Sequence, residues 1–201
     1  MPRTLAGMSS SPAPRPPVDP TRVIATLALA FSIEPWLRWL FPQTDRFHAG
    51  FPDLVHVSAG AAFDAGTADV VYDGAAAALW VSPGAQANDE AWAAFFQRHV
   101  DATRLEEVLA WGQAVGEHHP SEPHWYLAMI GVDPHWQGQG FGSQLLRHGL
   151  ARCDRDGLPA YLETTLPRNR VLFERHGFTA LTELRVADTP PVWPMLRAAR
   201  G

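Results

Sequence analysis

The sequence predicts an α/β (α+β) fold in which helices flank a mixed central sheet. A hairpin pattern at 68–82 predicts two antiparallel strands, because Asp-Gly between apolar runs favours a tight turn. An apolar run at 125–132, a glycine turn and a helical pattern then lead to another apolar run at 158–164. Strand and helix alternate over this part of the chain, as they do in α/β folds.

Length and composition favour one globular domain at 19–201. The chain has 201 residues, 46% of them hydrophobic, which suffices for a sizeable core. Its formal charge is −5 and it contains no lysine, so no basic run indicates a nucleic-acid partner. The single cysteine, Cys153, excludes an internal disulfide and a cysteine-based zinc cluster. It lies on an apolar helix arc, where we expect a packed thiol.

The first segments read as a leader and a buried helix. Residues 1–18 are rich in proline and serine, which predicts a flexible leader. The apolar run at 23–31 is too short to cross a bilayer, so it is predicted as part of a first helix at about 20–31, with Asp19 or Thr21 near its start. No other segment is long and apolar enough for a membrane span, and we expect a cytoplasmic protein.

Three more helices and the hairpin turn are predicted from local signals. A helix is expected at 45–62, and Asp73-Gly74 is expected to be a two-residue turn between strands 68–72 and 75–82. Two further helices end near Val100 and Val115, and the side chains that can accept a hydrogen bond at their starts are Asn88 or Asp89, and Asp101 or Thr103.

The strand at 125–132 has no polar alternation, which predicts a central position with both faces buried. Gly131 within it predicts a bulge or a close backbone approach. In the helix that follows, 143–154, Gly142 and Gly149 lie on the inner arc, where they allow the helix to sit close to the sheet.

Two more strands are predicted near the end of the chain. A strand at 158–164 is followed by a short helix and then by a strand at 178–186. The last apolar run, 192–196, contains a proline and therefore fits only the edge of a sheet.

The segment between strand 125–132 and its helix predicts an anion site. Gly138, Gly140 and Gly142 let backbone amides approach a phosphate, and the helix dipole adds partial positive charge. A P-loop requires Lys followed by Ser or Thr, and Ser143 with Gln144 supplies neither. The spacing also differs from the Gly-x-Gly-x-x-Gly of dinucleotide-binding folds.

This segment resembles the acetyl-CoA signature of the GNAT acyltransferase superfamily, Gln/Arg-x-x-Gly-x-Gly/Ala, read here from Gln137 through Gly140 to Gly142. Asn169, a short helix and the pair Gly177-Phe178 resemble the second signature of that superfamily. The stretches at 124–127, 162–164, 174–178 and 192–197 are similar to the antibiotic acetyltransferase branch that includes puromycin N-acetyltransferase.

The resemblance implies a GNAT fold whose central parallel strands, 125–132 and 158–164, splay apart around the pantetheine of acetyl-CoA. It implies that an amide near Val132 polarises the thioester carbonyl. It also implies a cofactor site formed by Ile130, Gly131, Val132, Gln137, Gly138, Gln139, Gly140, Phe141, Gly142, Ser143 and Asn169. No metal is expected.

Acid–base chemistry points to three residues. An amine attacks a thioester only when it is neutral, so the reaction needs a base. The candidate is Glu163, on the strand that borders the gap between the splayed strands. The alternative, given equal weight, is that Glu163 forms a surface ion pair with an arginine. His124 is a lesser candidate, since an exposed histidine before a strand explains it better. The tyrosine that usually protonates the leaving thiolate falls at Phe173, which has no hydroxyl.

The expected function is acetyl-CoA-dependent transfer of an acetyl group to a primary amine of a small molecule, such as an antibiotic or toxin, by a monomer or homodimer. Two alternatives stay open: acetylation of a protein or peptide amine, and a non-catalytic acyl-CoA-binding module, which Phe173 motivates. Glu117, His118, His119 and His124 fit no metal-ligand spacing and are expected in a solvated loop. Tryptophan and phenylalanine side chains fit core packing first, and some are expected to line a groove for a bulky, partly apolar acceptor.

Overall fold

The computed structural model describes residues 18–85 and 88–200, so the predicted leader at 1–18 lies outside the described residues except for Val18. Within these ranges the chain forms eight α-helices: α1 (Pro20–Phe31), α2 (Pro35–Leu40), α3 (Thr44–Ala59), α4 (Ala61–Asp64), α5 (Asp89–His99), α6 (Leu105–Gly116), α7 (Phe141–Asp156) and α8 (Pro167–Arg175). None of these helices of the described ranges has the length and apolarity needed to cross a membrane.

The same part of the chain forms one six-stranded sheet. Its strands are β1 (Ala68–Val71), β2 (Ala76–Val81), β3 (Trp125–Val132), β4 (Ala160–Thr164), β5 (Thr179–Ala180) and β6 (Trp193–Arg197). Their order across the sheet is β1-β2-β3-β4-β6-β5, with β3 and β4 parallel and all other pairs antiparallel. This confirms the predicted mixed sheet flanked by helices.

Each face of the sheet carries its own hydrophobic core. Strand β2 contributes to both, because side chains alternate along a strand: Leu79 packs with α1 and α3, and Trp80 packs with α7. The α7 side also holds Cys153, fully buried as predicted. Helices α2 and α5 extend the core of the other face through Leu40 and Phe95.

Strand β3 contains a β-bulge that reverses which residues face which core. Leu79 pairs with Met129 but Trp80 pairs with Leu127, so Ala128 has no partner on β2. Leu127 therefore packs on the α7 side and Met129, two residues later, on the α1 side. The bulge predicted at Gly131 lies three residues earlier.

The alternative prediction for Gly131, a close backbone approach, is confirmed. A Cβ at this position would lie 2.7 Å from Cβ of Ala30 and 2.9 Å from Cδ2 of Leu27, both on α1. Gly149 has the same function on the other face, where a Cβ would lie 2.2 Å from the ring of Trp80. Gly142 was expected to act alike, but its Cβ would meet Leu172 at an ordinary 3.5 Å.

Two of the three side-chain caps predicted at helix starts are present in the structure. Asp19 accepts a hydrogen bond from the Thr21 amide at the start of α1, and Asn88 accepts one from Ala91 at the start of α5. The third prediction is wrong: Asp101 bonds the amide and hydroxyl of Thr103 in the preceding turn, and α6 begins at Leu105 without a side-chain cap. The helix predicted at 45–62 is broken at Gly60 into α3 and α4.

The hairpin is present, but its turn is longer than predicted. Val71 pairs with Ala76, so the loop contains four residues, 72–75, rather than two. Tyr72 and Asp73 both have positive φ, +48° and +50°, ahead of Gly74 at +85°. Tyr72 stacks on Phe141 at a centroid distance of 5.0 Å, which brings the hairpin loop to the start of α7.

Two predictions about the last strands are wrong. The strand expected at 178–186 is reduced to β5, two residues long, with one further bridge between Leu184 and Val192. Strand β6 is not an edge strand, because it lies between β4 and β5. Pro194 is tolerated there because its backbone faces the short strand β5, where its carbonyl accepts a hydrogen bond from the Leu181 amide. The N–H that proline lacks would face the same short strand, so its absence does not break a long run of hydrogen bonds.

Candidate active site

The glycine loop joins the end of β3 to the start of α7. A 3-10 turn at Pro134–Trp136 leads into it, and Gly138 and Gly140 have φ of +78° and +86°. Most other residues adopt this conformation only with strain, so these two positions strongly favour glycine. A Cβ at either glycine would have no neighbour within 4 Å, so open space lies in front of the backbone.

The first turn of α7 offers unpaired backbone donors. Gly140 is its N-cap and supplies no side-chain acceptor, and the first-turn amides of any helix lack intrahelical partners. Both amides of Gln137 are engaged within the loop: its side-chain amide donates to the Val132 carbonyl at 3.1 Å, and its backbone amide to the Pro134 carbonyl at 3.5 Å. Oγ of Ser143 lies 3.0 Å from Nε2 of His176, which fixes its rotamer.

Strands β3 and β4 separate almost as soon as they meet. They pair only at Trp125 with Ala160 and at Tyr126 with Tyr161, and beyond these positions a gap opens between them. The Asp133 backbone N–H donates to the Ala75 carbonyl, on the β2 side of the strand. Because successive backbone N–H groups along a strand point to opposite sides, those of Ile130 and Val132 point away from β2 and into this gap. The gap ends at the glycine loop.

A cavity of about 440 Å³ lies alongside the gap. Its walls are mostly apolar and aromatic, and they come from the first helices and from the two helices inserted between β2 and β3. We call it the acceptor cavity, after the acceptor groove expected from the sequence. The side chains that define it include Phe31, Trp36, Leu37, Leu54, Trp92, Phe96, Val108 and Trp111. Four of the predicted site residues also line it: Ile130, Glu163, Asn169 and Phe173.

Glu163 lies where the acceptor cavity meets the gap between strands. Its side chain is 13% exposed, and its Oε1 is 3.7 Å from Nδ1 of His119. Tyr126 and Tyr161 flank it. Burial, reinforced by the nearby carboxylate, raises the pKa of both phenols, so both keep their protons at neutral pH. The alternative of a surface pair with arginine is not what the structure shows.

A second carboxylate, Glu34, was missed by the sequence analysis. It caps α2 by accepting from the Leu37 amide at 2.7 Å, and the Thr165 hydroxyl beyond the end of β4 donates to its other oxygen. Burial raises its pKa, and the Thr165 hydrogen bond opposes that rise. Glu-Pro at a helix start signals the cap, but only the tertiary structure places Glu34 in the acceptor cavity.

His119 and His124 lie in a loop, as predicted, but their rings are not solvated as expected. Both rings are half-buried, and their Nε2 atoms are 2.9 Å apart. Nδ1 of His124 contacts the Glu122 carbonyl at 2.7 Å. Burial lowers the pKa of His124 below its ordinary value, with the neighbouring His119 adding to the effect.

Phe173 is 3% exposed and packs edge-to-face on Phe178, with centroids 6.0 Å apart, while one side of it borders the acceptor cavity. The residues predicted to contact a cofactor thus fall into two groups, one in the gap and cavity and one in the glycine loop at its end. Among the described residues no cluster of three or more histidine, cysteine or acidic side chains is arranged to hold a metal ion.

Comparison with known proteins bears directly on this arrangement. A model of the acetyltransferase (GNAT) family matches residues 70–178, just over half of the chain. An uncharacterized N-acetyltransferase of Schizosaccharomyces pombe is 41% identical over 54 residues, which are 27% of this chain and 22% of that protein. The chain therefore matches only about a fifth of this relative's length.

Solved structures agree over nearly the whole chain. One from Corynebacterium glutamicum, described as histone acetyltransferase HPA2 and related acetyltransferase, is 26% identical with a TM-score of 0.62, over 91% of this chain and 92% of its own. Arylalkylamine N-acetyltransferase 2 from Aedes aegypti shares the fold at 12% identity, with a TM-score of 0.61 over 90% and 94%. The range matched by the family model, 70–178, includes the splayed strands, the glycine loop and both signatures. The chain therefore belongs to the GNAT acetyltransferase family.

Proposed function

We propose that this protein is an acetyl-CoA-dependent N-acetyltransferase whose acceptor is a primary amine on a small, partly apolar molecule. The observation that carries the proposal is the gap between β3 and β4. It connects a glycine loop suited to phosphates with a cavity that contains a carboxylate in an aromatic wall. A donor on one side and an acceptor on the other can meet there.

The glycine loop fits the pyrophosphate of acetyl-CoA. Open space lies in front of Gly138 and Gly140, and the uncapped first turn of α7 offers amides and a dipole to an anion. We assign the phosphate contacts to the amides of 138–143, because the Gln137 amide is already engaged. The N–H groups of Ile130 and Val132 would bind pantetheine along the gap, with Asn169 on the facing wall.

The acceptor cavity fits an amine with an aromatic or otherwise apolar body. A volume of about 440 Å³ accommodates a drug-sized molecule, and Trp36, Trp92 and Trp111 offer flat apolar surface. Glu163 gives the amine a carboxylate partner near the gap. Acetylation of a puromycin-like antibiotic is one instance of this chemistry and forms the finer part of the proposal.

In the proposed reaction Glu163 accepts a proton from the amine, which frees its lone pair for attack on the thioester carbonyl. The Val132 amide donates a hydrogen bond to the oxygen on which negative charge develops. After attack the nitrogen still carries one excess proton, and water passes that proton to the leaving thiolate, since Phe173 carries no hydroxyl. The product is an amide, and the amine proton leaves by way of Glu163.

Acetylation of a protein or peptide amine is the second candidate, and the similarity to the Corynebacterium structure, which is described as a histone acetyltransferase and related acetyltransferase, motivates its test. A non-catalytic acyl-CoA-binding module is the third, motivated by Phe173. One experiment separates the three: thiol release from acetyl-CoA is measured across aromatic amines, polyamines, puromycin and lysine-containing peptides. Turnover of peptides alone favours the second candidate, and binding of acetyl-CoA without any turnover favours the third.

Glu163→Gln tests the assigned base on whichever amine is turned over. The substitution keeps the shape and removes basicity, so kcat/KM near pH 7 should fall by about 10²–10⁴-fold and recover partly at high pH, where the amine loses its proton unaided. Glu183→Gln is the matched control, because Glu183 pairs with Arg185 at the surface away from the acceptor cavity. An unchanged pH–rate profile in Glu163→Gln would exclude Glu163 as the base.

A further inference from the structure

Three ionisable side chains form a row that leads out of the acceptor cavity. Glu163 comes first, with Oε1 3.7 Å from Nδ1 of His119. His119 comes second, with Nε2 2.9 Å from Nε2 of His124. Tyr126 and Tyr161 enclose the row, with ring centroids 5.1 Å and 4.6 Å from that of His119. The phenol groups keep their protons, so Glu163 and the two imidazoles are the groups that exchange them.

The row crosses the wall between two cavities. A second cavity, of about 460 Å³, is lined by His124, Glu122 and the 119–124 turn, and we refer to it as the outer cavity. His119 and Tyr126 line both cavities, whereas Glu163 lines only the acceptor cavity and His124 only the outer one. An acceptor that fills the first cavity leaves the second open as a route for protons.

The hydrogen bonds determine where the ring protons lie. Nδ1 of His124 is 2.7 Å from the Glu122 carbonyl, which only accepts, so this nitrogen carries a proton. In neutral His124 the other nitrogen, Nε2, is then an acceptor, and His119 must donate to it from its own Nε2. Nδ1 of neutral His119 is consequently unprotonated and faces Glu163.

We propose that His119 and His124 relay the substrate proton from Glu163 to the outer cavity, an inference that rests on the function proposed above. The amine N–H bond breaks as a Glu163 O–H bond forms. That proton passes to Nδ1 of His119, while the Nε2 proton of His119 passes to Nε2 of His124. The His124 imidazolium releases its Nδ1 proton to water of the outer cavity, which replaces the Glu122 carbonyl as the acceptor at that nitrogen. Proton exchange of both rings with solvent then restores the starting tautomers.

The ring protons of the two histidines are already arranged for transfer from Glu163 towards the outer cavity. Each transfer ends on a nitrogen that is unprotonated in the resting state, so no acceptor has to be vacated first. The separation of 3.7 Å between Glu163 and His119 exceeds a hydrogen bond, as is common for catalytic pairs without bound substrate. His119 and His124 are thus positioning residues that act through Glu163 and do not touch the acceptor.

The first test uses the pH–rate profile. His119→Gln and His124→Gln should lower kcat about 10-fold or more near pH 7, with the deficit shrinking as pH rises and the amine needs less help. KM for the amine and the Kd of acetyl-CoA should stay near wild type, which a damaged fold would not allow. His118→Gln is the matched control, since His118 contacts the Ala114 carbonyl and is not among the residues that line either cavity.

Chemical rescue sharpens this test. His124→Ala leaves His119 at the wall of the outer cavity, and added imidazole should restore part of kcat there but none in His119→Ala, where the inner transfer is broken. Wild-type profiles in both glutamine variants, or equal loss at every pH, would overturn the relay.

A second measurement needs no acceptor and separates the relay from the proposed function. Imidazole nitrogen NMR, assigned with the two glutamine variants, should show His124 as the Nδ1–H tautomer and His119 as the Nε2–H tautomer. If no amine is acetylated, the proposed function fails while these tautomers still report on the row. The reverse tautomers, or no response of His119 to Glu163→Gln, would overturn the relay even in an active enzyme.

Discussion

Helix α7 lies very close to the sheet at Gly149. A Cβ at this position would lie 2.2 Å from Cε2 and Nε1 of Trp80, where carbon atoms in contact need about 3.5 Å. Trp80 is fully buried, so helix and sheet must separate by roughly 1 Å to admit one methyl group. Overpacking of this kind costs about 1–3 kcal/mol, and the extra strain here outweighs the gain of up to about 1 kcal/mol in helix propensity.

We therefore expect Gly149→Ala to lower the free energy of unfolding by about 2 kcal/mol and Tm by about 4–8 °C, measured by urea and thermal unfolding. Gly142→Ala is the control on the same helix face, because its Cβ would sit 3.5 Å from Leu172 and 3.9 Å from Val132. It should be neutral or stabilise by up to about 1 kcal/mol. Trp80→Phe should partly rescue Gly149→Ala. Equal stability of the two alanine variants would refute the close approach.

Three further predictions concern the loop, the thiolate and a buried ion pair. Gly140→Asp should abolish acetyl-CoA binding measured by calorimetry. Gly140→Asn should retain most of the binding, because asparagine tolerates positive φ and carries no charge. Equal affinities of the two variants would show that the loop does not bind the phosphates. Phe173→Tyr should keep acetyl-CoA affinity and raise kcat if thiolate departure is limiting, whereas a folded variant that no longer binds acetyl-CoA would identify Phe173 as a core residue only. Asp154→Asn should cost about 1–3 kcal/mol at pH 7, because it leaves the buried Arg197 guanidinium without its carboxylate. The hydrogen bonds from Arg197 lower the pKa of Asp154, so this stabilisation is present above the ordinary carboxyl range and lost as pH falls through the folded value; a deficit that persists in acid would contradict it.

Signals carried by neighbouring residues were enough for much of the fold. Asp19 and Asn88 start their helices as expected, and the apolar runs of β3 and β4 lie where they were predicted. The hairpin loop and the break at Gly60 were missed because several backbone conformations suit the same local sequence. The position of β6 was missed for another reason. A proline keeps a strand out of the interior of a sheet only where the neighbouring strand would hydrogen-bond to the missing N–H, and β5 is too short to make that bond necessary.

The candidate site divides in the same way. The glycine loop was recognisable because positive φ at Gly138 and Gly140 is a local requirement that leaves a spacing in the sequence. Glu163 was recognisable from its strand. His119 was placed in the solvent, since nothing near it in the chain indicates that its ring would be enclosed by Tyr126 and Tyr161.

The sequence by itself determined the family, the glycine loop and the order of the elements, because these depend on backbone preferences and apolar periodicity within short windows. The tertiary structure decided which acids and bases meet. Glu34 and Thr165 bond across 131 positions of the chain, and His119 reaches Glu163 from the turn that follows the inserted helix pair. Such contacts depend on how the helices pack on the sheet, and that packing is set by the whole core, including the bulge at Ala128, which no single segment encodes.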